Sequence, residues 1–356
     1  MPKLARRAVL GGLLAAPAVK GAFAQARPSG TITLVAYAGI FQDNYIRSVV
    51  EPFQRRFPEV RVNYVPGGTS AQMLGTARAQ RADPQVDVML MDVTTSQVGN
   101  LEGLYDELSA AECPSLAELY PEARAVGFDK FGPAVTYDHL VLVFDTRDLR
   151  PPLAALADLW RPDLRGLVAL AAPPNIQGLA LTAMVEKMEG GDHARSIDRA
   201  IAKLRALAPS VQTFEPAPDG YSLILNGVVR VATGWNARAQ LYSDETNGRI
   251  GVLLPPEGSV FQINTINVTK GSKNRAAAVA FVNYALSQEA QKTFTERMFY
   301  APTNAAARIE PAALARTAAS PANRSRMIPV DWSEIVKVRD QWNNRWRREI
   351  VAASGR

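Results

Sequence analysis

Cysteine and histidine are scarce in this chain of 356 residues, which contains one cysteine and two histidines. With Cys113 alone, no internal disulfide bond can form and no cluster of thiolates can bind a metal. His139 and His193 lie far apart in the sequence and lack the spacing of a metal-binding pair. We therefore expect neither a metal site nor a bound cofactor.

Short catalytic motifs are absent as well. The sequence contains no G-x-S-x-G, no Walker loop, no G-x-G-x-x-G and no C-x-x-C. Assigning either histidine to a serine as a catalytic pair would be arbitrary, because no spacing favours one serine over another. The sequence thus gives no reason to expect enzymatic activity.

Long apolar runs are also few. The run at residues 8–19 is shorter than the ~20 residues that a membrane-spanning helix requires. It follows a basic start and precedes two overlapping A-x-A sites within residues 22–26, the order of a secretory signal peptide. The Arg6-Arg7 pair resembles a twin-arginine export signal, with an ordinary Sec signal as the alternative. We expect residues 1–26 to be removed on export, which places the mature protein in the periplasm.

A strong excess of charge of one sign disappears once this segment is removed. The formal net charge of the whole chain is +6, but residues 1–26 contain four basic residues and no acid. The mature chain then carries 36 basic and 34 acidic residues, a net charge of +2. This balance gives no reason to expect a nucleic-acid partner.

The remaining sequence alternates between strand-like and helix-like segments. Alternation of this kind predicts an α/β fold with a largely parallel sheet covered by helices on both faces. A mature chain of about 330 residues exceeds the ~250–300 at which one core stops growing, so two lobes are expected. Strands are predicted at residues 31–37, 60–65, 87–91, 140–144, 167–171, 228–233, 250–254 and 263–268. Helical patterns occur at residues 45–57, 275–297 and 331–350.

Four motifs in a fixed order resemble those of extracellular solute-binding proteins of ABC importers. Residues 160–168 (WRPDLRGLV) are similar to the L-W-x-P-x-x-x-G-x-V segment of that family. The other three are the LNG and GWN pair at 225–227 and 234–236, KGSKN at 270–274 and YAPTN at 300–304. Within the family, the spermidine/putrescine-binding branch is the most similar.

The resemblance implies a two-lobed periplasmic-binding-protein fold, each lobe a mostly parallel sheet flanked by helices. The crossover strands of the hinge would lie near residues 140–144 and 263–268. A small ligand would bind between the lobes at the carboxyl ends of strands, and an ABC importer permease would be the partner of a monomeric receptor. The expected division is residues 27–141 with 267–325 for lobe 1, and 142–266 with 326–356 for lobe 2.

The predicted pocket loops differ from those expected for a polyamine. A desolvated ammonium group needs a paired carboxylate, yet residues 171–177 and 261–264 offer only amide and apolar side chains. Asp92 is the one acid in a predicted pocket loop, and Asp219 and Glu257 are expected outside the cleft. The sequence therefore favours a ligand with at most one net positive charge. The alternatives are a small anion or zwitterion, such as a phosphonate or organic acid, and a ferric ion, although paired tyrosines are missing.

Eight residues are candidates for ligand binding, either as aromatic surfaces or as hydrogen-bonding groups. They are Tyr37, Asp92, Thr94, Asn175, Gln177, Trp235, Gln262 and Asn264. Tyr37 and Trp235 could stack on the ligand, whereas the amides could donate and accept hydrogen bonds. Asp92 could orient an amine or cap the following helix.

Two further residues have two possible roles each. Ser70 follows two glycines at a helix start, where it is either an N-cap or part of an anion site. Arg238 could clamp a carboxylate or phosphonate, although a surface position is favoured.

Overall fold

The computed structural model describes residues 28–354; the expected signal segment lies outside this range. The strands are β1 Gly30–Tyr37, β2 Val60–Gly67, β3 Val88–Asp92, β4 Ala134–Asp145, β5 Val168–Ala169, β6 Val211–Thr213, β7 Val231–Trp235, β8 Ile250–Leu253, β9 Ser259–Val268 and β10 Met327–Ile328. The α-helices are α1 Ile40–Tyr45, α2 Glu51–Arg56, α3 Ser70–Ala79, α4 Val93–Leu101, α5 Pro121–Ala125, α6 Ile176–Met188, α7 Asp198–Leu207, α8 Gly220–Leu225, α9 Asn236–Glu245, α10 Arg275–Ala285, α11 Gln288–Met298, α12 Pro311–Leu314, α13 Pro321–Arg324 and α14 Trp332–Arg345. Short π-helical turns, Ile46–Val50 and Trp346–Ile350, join α1 to α2 and extend α14.

The strands form a mixed sheet in the order β2-β1-β3-β9-β4-β7-β5-β6. Strands β1, β2 and β3 pair in parallel at one end, and β5, β6 and β7 pair in parallel at the other. We call these two groups, with their helices, the first lobe and the second lobe. All residues of β3 and β7 are buried, as expected for parallel strands covered on both faces.

Strands β4 and β9 join the two lobes and run antiparallel to each other. The first half of β4 pairs with β9, whereas residues 140–144 pair with β7 of the second lobe. At its other end, β9 pairs with β3 of the first lobe. These strands contain the segments 140–144 and 263–268 that the sequence suggested for the crossover, while the exact lobe boundaries remain a prediction.

Several elements differ in length from the sequence prediction. Strand β4 begins six residues earlier than predicted, because the polar Asp138 and His139 hide from the sequence pattern a strand in which every residue except Tyr137 is buried. The predicted helix at 275–297 is two helices, since the side chain of Ser287 caps a new helix by accepting a hydrogen bond from Ala290 N. Strand β7 starts three residues late because Gly227, with φ 72°, holds a turn before it.

The C-terminal helix contacts both lobes. Helix α14 packs against α4 of the first lobe. The indole of Trp332 donates to Phe261 O in β9, and that of Trp346 donates to Thr182 Oγ1 in α6, over 2.8 Å. None of the helices within residues 28–354 is long and apolar enough to cross a membrane.

Candidate ligand-binding cleft

The carboxyl ends of the parallel strands of both lobes meet at one cleft. Strand β1 ends at Tyr37 and β3 at Asp92, whereas β7 of the second lobe ends at Trp235 and leads into α9. The guanidinium carbon of Arg238 in α9 lies 5.9 Å from the centre of the Tyr37 ring. Side chains from the two lobes therefore contact each other at the position where open α/β sheets bind ligands.

Tyr37 is held in place by polar contacts on three sides. Its hydroxyl donates to Asn264 Oδ1 over 2.9 Å and lies 3.1 Å from Ser70 Oγ. Tyr64 donates to the Tyr37 carbonyl. Burial, and then the negative charge of Asp92, raise the pKa of the Tyr37 phenol, so that the phenol is neutral and presents a ring with a fixed orientation.

Ser70 and Asp92 both serve the structure of the first lobe. The N-cap of α3 is Thr69, so the capping role suggested for Ser70 was wrong, while its role in an anion site stays a prediction. The buried Ser70 hydroxyl accepts from Asp92 N over 3.0 Å. The Asp92 carboxylate caps α4 by accepting from Thr94 Oγ1 and from the N–H and hydroxyl of Thr95, over 2.6–3.0 Å. Of the two roles predicted for Asp92, the structure shows the cap. Thr94 has no exposed surface.

The two amides of β9 are satisfied inside the protein. Asn264 is fully buried; its oxygen accepts from Tyr37 and from Gln262 Nε2 over 2.6 Å, and its nitrogen donates to Thr136 Oγ1 over 2.9 Å. Gln262 is 3% exposed. This network joins the crossover strands to the Tyr37 side of the cleft.

On the second lobe, two amides lie at the start of α6, which follows β5. The Asn175 side chain accepts from Gln177 N over 3.0 Å and so caps the helix, while Gln177 Oε1 accepts from the Thr233 hydroxyl over 3.1 Å. Both residues are partly exposed. Trp235, in contrast, is only 8% exposed, and its carbonyl accepts from the Tyr221 hydroxyl.

Arg238 is the residue of the cleft that the sequence interpretation placed wrongly on the surface. It is partly buried, and its Nε atom is inaccessible to water without a hydrogen-bond partner among residues 28–354. Arg238 lies in the first turn of α9, which begins directly at the end of β7. The sequence signal that could have placed Arg238 near the ligand is its position, three residues after Trp235 of the GWN motif.

The charge of Arg238 acts on four tyrosines. They are Tyr37, Tyr64, Tyr221 and Tyr300. Burial raises the pKa of each phenol, and the charge of Arg238 lowers it only in part. The phenols are therefore neutral at physiological pH and do not compensate the charge of the cation.

Asp219 is an acid whose charge acts on Arg238, without a hydrogen bond between them. It caps α8 by accepting from Ser222 N over 2.8 Å, and it remains partly exposed. Its expected position outside the cleft stays a prediction. Glu257 lies elsewhere, accepting from Leu156 N and Ala157 N. The second lobe thus places one cation and one anion near the same space.

Two lobes joined by crossover strands, with a cleft lined by tyrosines and one arginine, define a hinged receptor for a small solute. Comparison with known proteins agrees with this class. A family model for bacterial extracellular solute-binding proteins matches residues 48–322, and the chain belongs to this family. It is a solute-binding receptor of an ABC importer.

The similar proteins bind amines and amino acids. The chain is 25% identical to the gamma-aminobutyric acid-binding protein of Pseudomonas aeruginosa, over 80% of this chain and 79% of that protein. It is 26% identical to the spermidine/putrescine-binding periplasmic protein 1 of Haemophilus influenzae, over 57% of each chain. The match therefore spans little more than half of that polyamine-binding relative.

A solved structure shows the same fold. The periplasmic binding protein AgtB of A. tumefaciens, in complex with agropinic acid, superimposes with a TM-score of 0.75. The two chains are 17% identical, and the match covers 92% of this chain and 99% of that one. At this identity the likeness concerns the fold alone.

Proposed function

We propose that this receptor acts in the periplasm without catalytic turnover, and that its ligand is a small zwitterion with one carboxylate and one ammonium group. The observation that carries this proposal is Arg238, a guanidinium at the strand ends whose buried Nε has no hydrogen-bond partner within residues 28–354. GABA, which the Pseudomonas aeruginosa relative is named for binding, has this chemistry.

A ligand carboxylate would satisfy the arginine. A guanidinium presents its N–H groups in a planar fork that matches the two oxygens of a carboxylate. A buried donor without an acceptor costs about 1–3 kcal/mol, which a bound carboxylate would recover. Arg238 is always charged, because guanidinium groups do not lose their proton in proteins.

Asp219 supplies the complementary charge for an ammonium group. It lies near Arg238 but does not bond to it, and the carboxylate oxygen not used by Ser222 N remains free to accept. A zwitterion whose two ends are separated by a short aliphatic chain would contact both residues, with its chain along the tyrosine rings.

Polyamines and ferric ions fit this cleft less well. Putrescine would bring two ammonium groups close to the Arg238 cation, while Asp92 is already occupied by the donors of α4. A ferric ion would require phenolate ligands, whereas burial raises the pKa of Tyr37 and Tyr300. Both therefore rank below a zwitterion.

The eight predicted binding residues take different roles in this proposal. Tyr37 contacts the ligand, and Asn175 and Gln177 offer amide N–H groups from the second lobe. Gln262 and Asn264 hold Tyr37 in place, and Asp92 with Thr94 fixes α4 beside it; neither pair needs to touch the ligand. Trp235 shapes the cleft floor at the end of β7.

Calorimetric titration of the mature protein tests the proposal. GABA is expected to bind, whereas butylamine, which lacks the carboxylate, and putrescine, which replaces it by an ammonium, are not. Arg238→Ala should weaken GABA binding about 10- to 150-fold, the scale of ~1.5–3 kcal/mol for a hydrogen bond to a charged group.

The matched control is Arg347→Ala, an exposed arginine near the C-terminus, which should leave GABA affinity unchanged. Recovery of unaltered GABA after prolonged incubation would agree with a receptor that does not turn over its ligand. Submicromolar binding of putrescine or spermidine, without binding of GABA, would contradict the proposal.

A further inference from the structure

Strand β4 carries a buried acid at the position where it passes between the lobes. Asp138 has no exposed surface. One carboxylate oxygen accepts from the N–H of His139, over 2.8 Å, and both oxygens lie 3.1–3.2 Å from the N–H of Ala237 in the first turn of α9. The acid of the crossover strand is thus bonded to the helix that carries Arg238.

Helix α9 depends on this contact because it lacks a cap of its own. Its N-cap residue is Trp235, whose side chain makes no capping hydrogen bond. The first N–H groups of a helix have no partner within the helix and need an acceptor from outside it. Asp138 supplies the acceptor from a different element, in contrast to Asp92 and Asp219, which cap the helices that directly follow them.

Among the charged side chains of residues 28–354, Arg238 acts on Asp138 and lowers the pKa of its carboxyl. On its own strand, His139 Nδ1 lies 3.8 Å away, but burial lowers the pKa of this histidine to about 3, so the ring is neutral. Arg238 faces Asp138 from α9, Tyr221 from α8, and Tyr300 from the segment after α11. Burial raises the pKa of Asp138 to about 8, against the lowering effects of the His139 and Ala237 N–H groups and of Arg238.

We propose that Asp138 is a positioning residue: it fastens the first turn of α9, and with it Arg238, to the crossover strand, and it links ligand capture to proton uptake. The link between ligand binding and proton uptake follows from the charge of the ligand. A ligand carboxylate at Arg238 adds a negative charge near Asp138 and favours its protonated form. Binding then takes up a proton, and affinity falls as the pH rises through about 8. The proton link rests on the proposed function, whereas the fastening of α9 does not.

The fastening is tested without any ligand, by hydrogen exchange of the backbone amides of α9. Asp138→Ala should accelerate exchange in the first turn of α9, while Asp138→Asn, which keeps an acceptor oxygen, should do so less. The control is Asp145→Asn at the far end of the same strand. Asp145 is 2% exposed and bonds to Arg147 N and Arg249 Nε. Removing the Asp145 carboxylate should therefore leave exchange in the first turn of α9 unchanged. Equal exchange in the wild type and Asp138→Ala would overturn the fastening.

The proton link is tested by calorimetric titration with GABA between pH 6 and 8.5. For the wild type and Asp145→Asn, GABA affinity should fall as the pH rises. Asp138→Asn should bind within a few-fold of the wild type at pH 6 and show no such fall, and Asp138→Ala should bind at least 10-fold more weakly. The same falling profile in Asp138→Asn would overturn the link. Failure of the wild type to bind GABA would contradict the proposed function, while the exchange experiment would still decide on α9.

Discussion

Single residues show where the sequence was informative about the cleft. Asp92 was predicted either to cap a helix through Thr94 and Thr95 or, as the one acid in a predicted pocket loop, to bind an amine. The contact between Tyr37 and Asn264 joins residues 227 positions apart, and no local pattern predicts such a pair. The sequence analysis placed Arg238 on the surface because the burial of an arginine depends on which parts of the other lobe pack against it, and the sequence does not show this.

Asn264 offers a test of the network beneath Tyr37. Asn264→Ala removes the acceptor of the Tyr37 and Gln262 hydrogen bonds and the donor to Thr136. Leaving these buried groups without partners should lower the free energy of unfolding by about 2–3 kcal/mol, measured by urea denaturation.

The control is Asn63→Ala, which removes an exposed amide on β2 and should change stability by less than about 0.5 kcal/mol. An equally small effect of Asn264→Ala would show that the network does not stabilise the fold.

At the scale of elements, periodicity predicted the helices better than the crossover strands. The spacing of Trp342, Trp346 and Ile350 predicted one apolar face of the last helix, and all three side chains are buried. The length of β4 could not be predicted in the same way. Its polar residues Asp138 and His139 are buried by contacts from both lobes, so their environment depends on the assembled sheet.

The last helix provides a prediction about how the elements are held together. Trp346 has no exposed surface and bonds to Thr182 of α6. Trp346→Ala should reduce the free energy of unfolding by about 3–5 kcal/mol, since it leaves a cavity in the core. Trp346→Phe should cost less because most of the volume remains filled.

Arg348→Ala, an exposed neighbour on the same turn, serves as the control for denaturation and should be nearly neutral. If Trp346→Ala were as stable as this control, the last helix would not be part of the core.

For the whole molecule, composition and alternation of strands and helices were sufficient to predict an α/β protein with two lobes. The order of strands in the sheet was beyond this reasoning, because β9 is inserted between β3 and β4 by pairings that span more than 100 residues. The charge of the cleft was predicted only in part. The shortage of carboxylates in the pocket loops stays a prediction, and Arg238 was named as a possible carboxylate clamp but was expected on the surface.

The central claim is that a small zwitterion is captured between the two lobes by Arg238. The most direct test is small-angle X-ray scattering of the mature protein with and without saturating GABA, on the wild type and on Arg238→Ala. Hinged lobes close around a bound ligand, so the radius of gyration of the wild type should decrease with GABA, while Arg238→Ala at the same GABA concentration should show a smaller decrease. A wild-type radius of gyration that does not change at saturation, or an equal decrease in Arg238→Ala, would contradict the account.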